Sequence, residues 1–362
     1  MPSNIQLCYQ CGKCTAICPV RRVVKTSPRT TIYQSNVYGI DSDDIWNCLT
    51  CNRCYDTCPQ GVDYPEFVRE ERANRDSTGA GAGTKIAHEG VFTLLAGMMA
   101  DLGNSRTTLK EAGNERSKVG YYPGCLDFHD MFFNVDVDFK AIAVSSMELL
   151  GDMELDPKLL QMKCCGHDQL WQGDKTTFDK LKEQNTKLIE ESGIETLVTS
   201  CAECYRTLSQ DYDLPVKVVH ISQLLKDANL NTSTATTTDP GINVTYHDAC
   251  RLGRHMGEYD APRDALTNSG ASITEMKHNK NDSWCCGVSS MMNCNDRSKA
   301  LRKAKLDEAK DTGADVLITT CPKCLAHLTC MKTEQESVEN YEFEIKDLTV
   351  FLAEQKGGKK DE

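Results

Sequence analysis

The sequence predicts an α+β chain in which a small N-terminal cysteine-rich unit precedes two copies of one α/β domain. Two observations carry that expectation. The run "CYQCGKCTAICPV" (residues 8–20) returns with its spacing intact as "CLTCNRCYDTCPQ" (residues 48–60). Further on, "ESGIETLVTSCAECYRTL", from Glu191, lines up with "DTGADVLITTCPKCLAHL", from Asp311. A repeat of about 120 residues is a duplicated domain and not a solenoid.

Length and composition bound the rest. A chain of 362 residues is too long for one small core, so two or three units are expected. With 40% hydrophobic and 26% charged residues the composition is ordinary for a globular protein. The net charge of −12 argues against a nucleic-acid partner, which asks for a basic face. No apolar run of about 18 residues is present, and the start has no charged region followed by an apolar stretch. A cytoplasmic location is expected, with peripheral attachment to the inner membrane face through a partner protein as the alternative. Twenty cysteines without an export signal point to metal and not to disulfides, because the cytosol keeps thiols reduced.

Cys8, Cys11, Cys14 and Cys18-Pro19 read C-x2-C-x2-C-x3-C-P, and Cys48, Cys51, Cys54 and Cys58-Pro59 repeat it. This is the bacterial ferredoxin pattern for two [4Fe–4S] cubanes, in which the fourth thiolate of each run crosses to the other cube. Cys8, Cys11, Cys14 and Cys58 are therefore assigned to one cluster, and Cys48, Cys51, Cys54 and Cys18 to the other. The proline turns the chain away after the last ligand. Structural zinc prefers two separated pairs, so the single runs favour iron and sulfide. Paired cubanes relay single electrons.

A ferredoxin-like domain is expected over residues 1–76, then a linker and packing helix over 77–117. "YPEFVREERANRD" reads as a helix, "STGAGAG" from Ser77 as a hinge, and "TKIAHEGVFTLLAGMMADLG" as a packing helix. The matched halves follow over 118–228 and 242–356, joined by a polar linker at 229–241. Each half has a helix, a β-branched run ("TLVTS", "VLITT") and a Cys-x2-Cys opening the next helix. That alternation predicts a parallel sheet with its sites at the carboxyl ends of the strands.

Each half carries five thiols: Cys125, Cys164, Cys165, Cys201 and Cys204 in the first, and Cys250, Cys285, Cys286, Cys321 and Cys324 in the second. Adjacent cysteines suit neighbouring irons, and the glycine after each pair is expected to let the backbone approach sulfide. A helix N-terminus under each Cys-x2-Cys favours thiolate. Five thiolates are one too many for a plain cubane. An unusual centre in each half is therefore expected, against a cubane with a spare thiol or two redox dithiols.

The twice-repeated C…CCG…C-x2-C element resembles the cysteine-rich CCG domains of heterodisulfide reductase. A ferredoxin-like unit ahead of two such domains resembles the catalytic iron–sulfur subunit of that family, of the D type, equivalent to the separate C and B subunits fused. The resemblance covers about residues 5–350 and implies two noncubane [4Fe–4S] clusters beside the two cubanes. It implies that these clusters flank the disulfide of coenzyme M and coenzyme B, a substrate used in methanogenesis. Iron–sulfur subunits of glycolate- or glycerol-3-phosphate-dehydrogenase complexes share this architecture and only relay electrons, so that role stays open as the alternative.

The family's coenzymes are anionic, which makes Arg251 and Arg254 candidate partners together with Lys323 inside the last Cys-x2-Cys. Each is equally a solvated helix residue. His167 and His247 lie beside cluster cysteines and are candidates to protonate a leaving thiolate or to donate to a cluster sulfur. Cys294 and Cys330 fall outside every motif and are expected to be buried bystanders. No flavin, haem or nicotinamide motif is visible. Electrons must then come from another protein, which by resemblance is a membrane b-type cytochrome or a flavin-containing subunit.

Overall fold

The structure, a computed structural model, describes residues 4–77, 86–102, 113–228, 241–287, 294–334 and 341–357. Two four-stranded sheets frame the matched halves. The first contains β1 (Val119–Tyr122), β2 (Lys158–Leu159), β3 (Thr196–Thr199) and β4 (Lys217–His220). The second contains β5 (Asn243–His247), β6 (Ser272–Ile273), β7 (Val316–Thr319) and β8 (Glu344–Asp347). Their orders, β2-β1-β3-β4 and β6-β5-β7-β8, are the same, and every pairing is parallel. Strands covered on both faces need apolar residues at successive positions. β7, "VLIT", is buried throughout, and β3, "TLVT", in its last three residues.

Helices cover the sheets where the sequence places caps. Asp174 accepts from the amide of Thr177 to start the helix Lys175–Ser192, which buries Phe178, Leu181, Asn185 and Ile189 along one face. Its counterpart, Asp296–Lys310, opens on a capping box between Asn295 and Ser298. The two halves share one core, in which Phe139, Ile142 and Tyr121 of the first meet Phe351, Leu352 and Ile318 of the second. Across that joint Thr349 Oγ1 donates to the carbonyl of Ile142 at 3.3 Å.

The N-terminal unit has its own small core of Ile5, Ile32, Ile45, Trp46, Val62, Tyr64, Phe67 and Val68. The helix Tyr64–Ser77 leads out of it, as expected from "YPEFVREERANRD". The packing helix is shorter than its sequence suggested, because it begins at Val91. His88, Glu89 and Gly90 have φ of 53°, 55° and 76°, and three left-handed residues in a row stop a helix from starting earlier. The hinge at 78–83 and the linker at 229–240 lie outside the described residues.

Candidate functional site

The two cysteine runs fold as matching loops. Gln10 and Gly12 in the first, and Thr50 and Asn52 in the second, occupy equivalent positions with positive φ, which winds each loop around its thiols. Cys8, Cys11, Cys14 and Cys58 line one cup together with Cys54 of the other expected set, and Cys11 is exposed. Cys18 lies with the other run: burial and the neighbouring Cys48 and Cys51 push its thiol up to about 12. Sulfurs in both loops receive N–H donors, the Gln10 side-chain amide on Cys8 in the first, and Thr50 N on Cys48 and Val62 N on Cys58 in the second, each at 3.3 Å. The loop bearing Cys51 is buried against the second half, in one apolar cluster with Cys285, Cys286, Cys321 and Cys324.

The five thiols of each half gather at the carboxyl ends of the strands. In the first, Cys125 lies 3.7 Å from Cys164, and Cys204 lies 3.4 Å from Cys165. In the second, Cys324 lies 3.3 Å from Cys286, and Cys250 is in hydrogen-bond contact with Cys285. Cys201 and Cys321, the helix-opening thiols, meet each other across the two halves. Tyr121 and Tyr246 hold the equivalent strand ends, bonding Ser200 and Thr320 at 2.9 Å in each case.

Between the two thiol sets sits a buried charged group. Lys323 Nζ reaches Asp168 Oδ1 at 2.5 Å and Glu203 Oε2 at 2.6 Å, so the second half inserts a cation between two carboxylates of the first. The nearby ammonium of Lys323 keeps Asp168 well below the usual carboxylate range against the opposing cost of burial. Burial pushes Glu203 up to about 8. A cavity opens here, bordered by thiols of the first half and by Pro322 and Lys323 of the second. Glu203 and Lys323 also border the thiols of the second half.

The expected site residues divide. His167 is buried; its Nδ1 lies 3.0 Å from Asp168, and its Nε2 accepts from Arg251 Nε at 2.9 Å. That pattern fixes a neutral ring, and burial lowers its pKa. His247 is fully buried with both ring nitrogens unpartnered among the described residues, within 4.8 Å of the Cys286 and Cys324 sulfurs. Burial lowers its pKa to about 3. Arg251 and Arg254 are occupied differently from the expectation that they meet substrate anions. Arg251 donates to the carbonyl and hydroxyl of Thr50, and Arg254 to the carbonyls of Cys51 and Ser283. They fasten the N-terminal unit to the second half.

One further expectation is corrected. Cys294 and Cys330 are half-buried, not buried, and Cys294 lies 3.3 Å from the Arg302 guanidinium. A contact with His88 and that cation bring the Cys294 thiol down to about 7. The glycines of the CCG motifs also serve packing and turn geometry, and Gly166 N donates to Cys164 Sγ at 3.4 Å. Gly166 has φ +78°, and a Cβ there would meet Phe178 at 2.7 Å; Gly287 has φ +87° and would meet Ser298 O at 2.9 Å. Sequence reasoning missed Asp168 and Glu203. The signal was present, because Glu203 and Lys323 hold the same third position of their Cys-x2-Cys motifs with opposite charge.

The donor set suits a polycationic centre. Close thiol partners and burial push Cys125, Cys204 and Cys324 up while Cys164 and Cys201 are brought down by hydrogen bonds from their partners, and iron is what holds such a set as thiolates together. Comparison with known proteins agrees. Residues 119–209 and 244–329 match the cysteine-rich domain family, CCG, and residues 7–62 match the 4Fe-4S dicluster domain. The D-type subunit of the dihydromethanophenazine:CoB–CoM heterodisulfide reductase of Methanosarcina acetivorans is 25% identical over 98% of this chain and 94% of its own length. The B-type subunit of the fumarate reductase (CoM/CoB) of Methanothermobacter marburgensis is 26% identical over 89% of this chain and 67% of its own. A hypothetical protein of Helicobacter pylori shares the fold, with TM-score 0.54 and 10% identity over 91% of this chain and 64% of that one. No described helix is long and apolar enough to cross a membrane. With one dicluster domain followed by two CCG domains, the chain belongs to the iron–sulfur redox proteins of the CCG-domain, heterodisulfide reductase type.

Proposed function

We propose that the chain reduces a small-molecule disulfide, the heterodisulfide of coenzyme M and coenzyme B, between its two CCG domains. The observation that supports this most is the meeting of two complete five-thiol sets, Cys201 against Cys321, beside one cavity that both halves line. Cys125, Cys164, Cys165, Cys201 and Cys204 would hold one noncubane [4Fe–4S] centre, and Cys250, Cys285, Cys286, Cys321 and Cys324 the other. The two N-terminal loops would hold the cubanes in the crossed grouping. Bound there, the four centres would supply electrons one at a time.

The reaction consumes the disulfide, two electrons and two protons, and yields two thiols. This chain's own residues shape that chemistry. Lys323 Nζ, Asp168 and Glu203 form the polar floor of the cavity, and Glu203, pushed up to about 8, offers a proton there while Asp168 stays ionised beside Lys323. His167, whose Nε2 is taken by Arg251, orients Asp168. Arg251 and Arg254 keep the Cys51 loop against the second CCG domain, which orders the route as N-terminal unit, second half, cavity.

The test is reduction of the heterodisulfide by the isolated, anaerobically purified chain with reduced viologen, beside an iron assay. Turnover with about sixteen irons per chain is expected, from four [4Fe–4S] centres. Cys285→Ala should abolish turnover and leave the cubane signals. The similarity to a component of a fumarate reductase favours a second reading, electron relay to a partner enzyme. A full iron complement with no turnover would select it.

A further inference from the structure

The outer thiol cup is framed by positive charge in an acidic protein. Residues 1–40 contain Lys13, Arg21, Arg22, Lys25 and Arg29 and no Asp or Glu, although the chain carries −12 overall. Arg22 is used internally, stacked 3.8 Å over Trp284. Lys13 and Arg29 border the cup beside Tyr9, and both are exposed, as is Lys25. No described carboxylate is ion-paired with any of these three.

Apolar side chains extend the same face. The Asn36 side-chain amide donates to the carbonyl of Ile5 at 2.9 Å, which brings the turn Gln34–Tyr38 beside the exposed Leu7. Tyr33 and Tyr38 stack edge to face at 5.6 Å. Tyr9 at the cup is 58% exposed; Tyr38 is 61% exposed, and Val37 and Ile40 near it in the chain are also open. Grouped exposed apolar residues mark an interaction site where scattered ones do not, and the charge around them selects the partner's sign.

We infer that this face docks an acidic one-electron carrier protein. The inference rests on the reading that the cup holds a redox centre. One electron leaves the carrier at each encounter and enters the chain, so two encounters serve one disulfide. A lipid surface would cover the cup without delivering an electron, so charge complementarity to a carrier is the better match. Cationic rims of this kind raise association rates and lose their effect in salt.

The probe is a small acidic [2Fe–2S] ferredoxin, titrated against the cluster-loaded chain by calorimetry at low salt and at about 1 M salt, where the Debye length is about 3 Å. Binding at low salt should fall at least tenfold in Lys25→Glu/Arg29→Glu and become insensitive to salt. Val37→Ser/Tyr38→Ser should weaken it at both salt levels while viologen-driven turnover persists. Lys187→Glu, exposed on the remote helix Lys175–Ser192, should change nothing. Equal affinity in the wild type and the charge-reversed variant overturns the inference. So does co-sedimentation with anionic phosphatidylglycerol vesicles without ferredoxin binding, or self-association of the chain that the same variants abolish. Binding is read without turnover, so a chain that reduces no disulfide yet binds in this pattern leaves the docking face standing.

Discussion

Lys323 is almost wholly enclosed, and its ammonium answers two carboxylates from the other half of the chain. Removing one partner of such a group leaves uncompensated buried charge, which costs about 3–5 kcal/mol. Lys323→Met should therefore lower the unfolding free energy by that amount, and Lys323→Met/Glu203→Gln/Asp168→Asn should recover most of it in urea titrations. Cys294 gives a separate test. A thiol brought down to about 7 is half thiolate near neutral pH, and its thiolate fraction rises as pH climbs through that value. Iodoacetamide should accordingly label Cys294 before Cys330, whose thiol is raised by burial, with a rate that climbs between about pH 6 and 8. Arg302→Met should move that rise upward; mass spectrometry of the labelled peptides reads it.

Two glycines at helix ends separate two kinds of strain. Gly193 closes Lys175–Ser192 at φ +70° with open space around it, whereas Gly166, opening the short helix His167–Gln172, has φ +78° and Phe178 in the way. Gly193→Ala should cost about 1 kcal/mol from backbone strain alone. Gly166→Ala adds overpacking of about 1–3 kcal/mol, so its thermal midpoint should fall further. Much at this scale was legible. Cysteine spacing, β-branched strands, capping residues and the internal repeat are local patterns, and the elements fell where those patterns pointed. The helix at 91–102 was misjudged at its start because apolar periodicity does not register His88 and Glu89 adopting left-handed backbone. Arg251 with Thr50 was not legible, since the residues lie 201 positions apart and only tertiary packing joins them.

The three units meet around Trp171, which is buried among the guanidinium groups of Arg251 at 4.2 Å, Arg206 at 4.9 Å and Arg69 at 5.4 Å. Arg72, also buried, donates to the carbonyls of Ile45, Cys48 and Trp171 and so belongs to the same joint. Arg72 and Arg251 each satisfy a backbone oxygen of another unit, and Arg69 pairs with Asp211 of the first half. The joint is thereby part of one cooperative structure. Arg72→Met should leave several buried carbonyls unpaired and split a single unfolding transition into two, seen as non-coincident fluorescence and circular dichroism curves.

Glu203 and Lys323 occupy the same motif position in two domains with the same strand order, and they touch. Two identical chains related by a twofold axis could not have made this contact, because the axis would set glutamate against glutamate or lysine against lysine. Two separately encoded copies, as in this chain, are free of that constraint, since each can mutate alone. The ion pair is thus a mark of divergence: it became possible only once the two copies ceased to be identical, and it tells the two faces of the cavity apart.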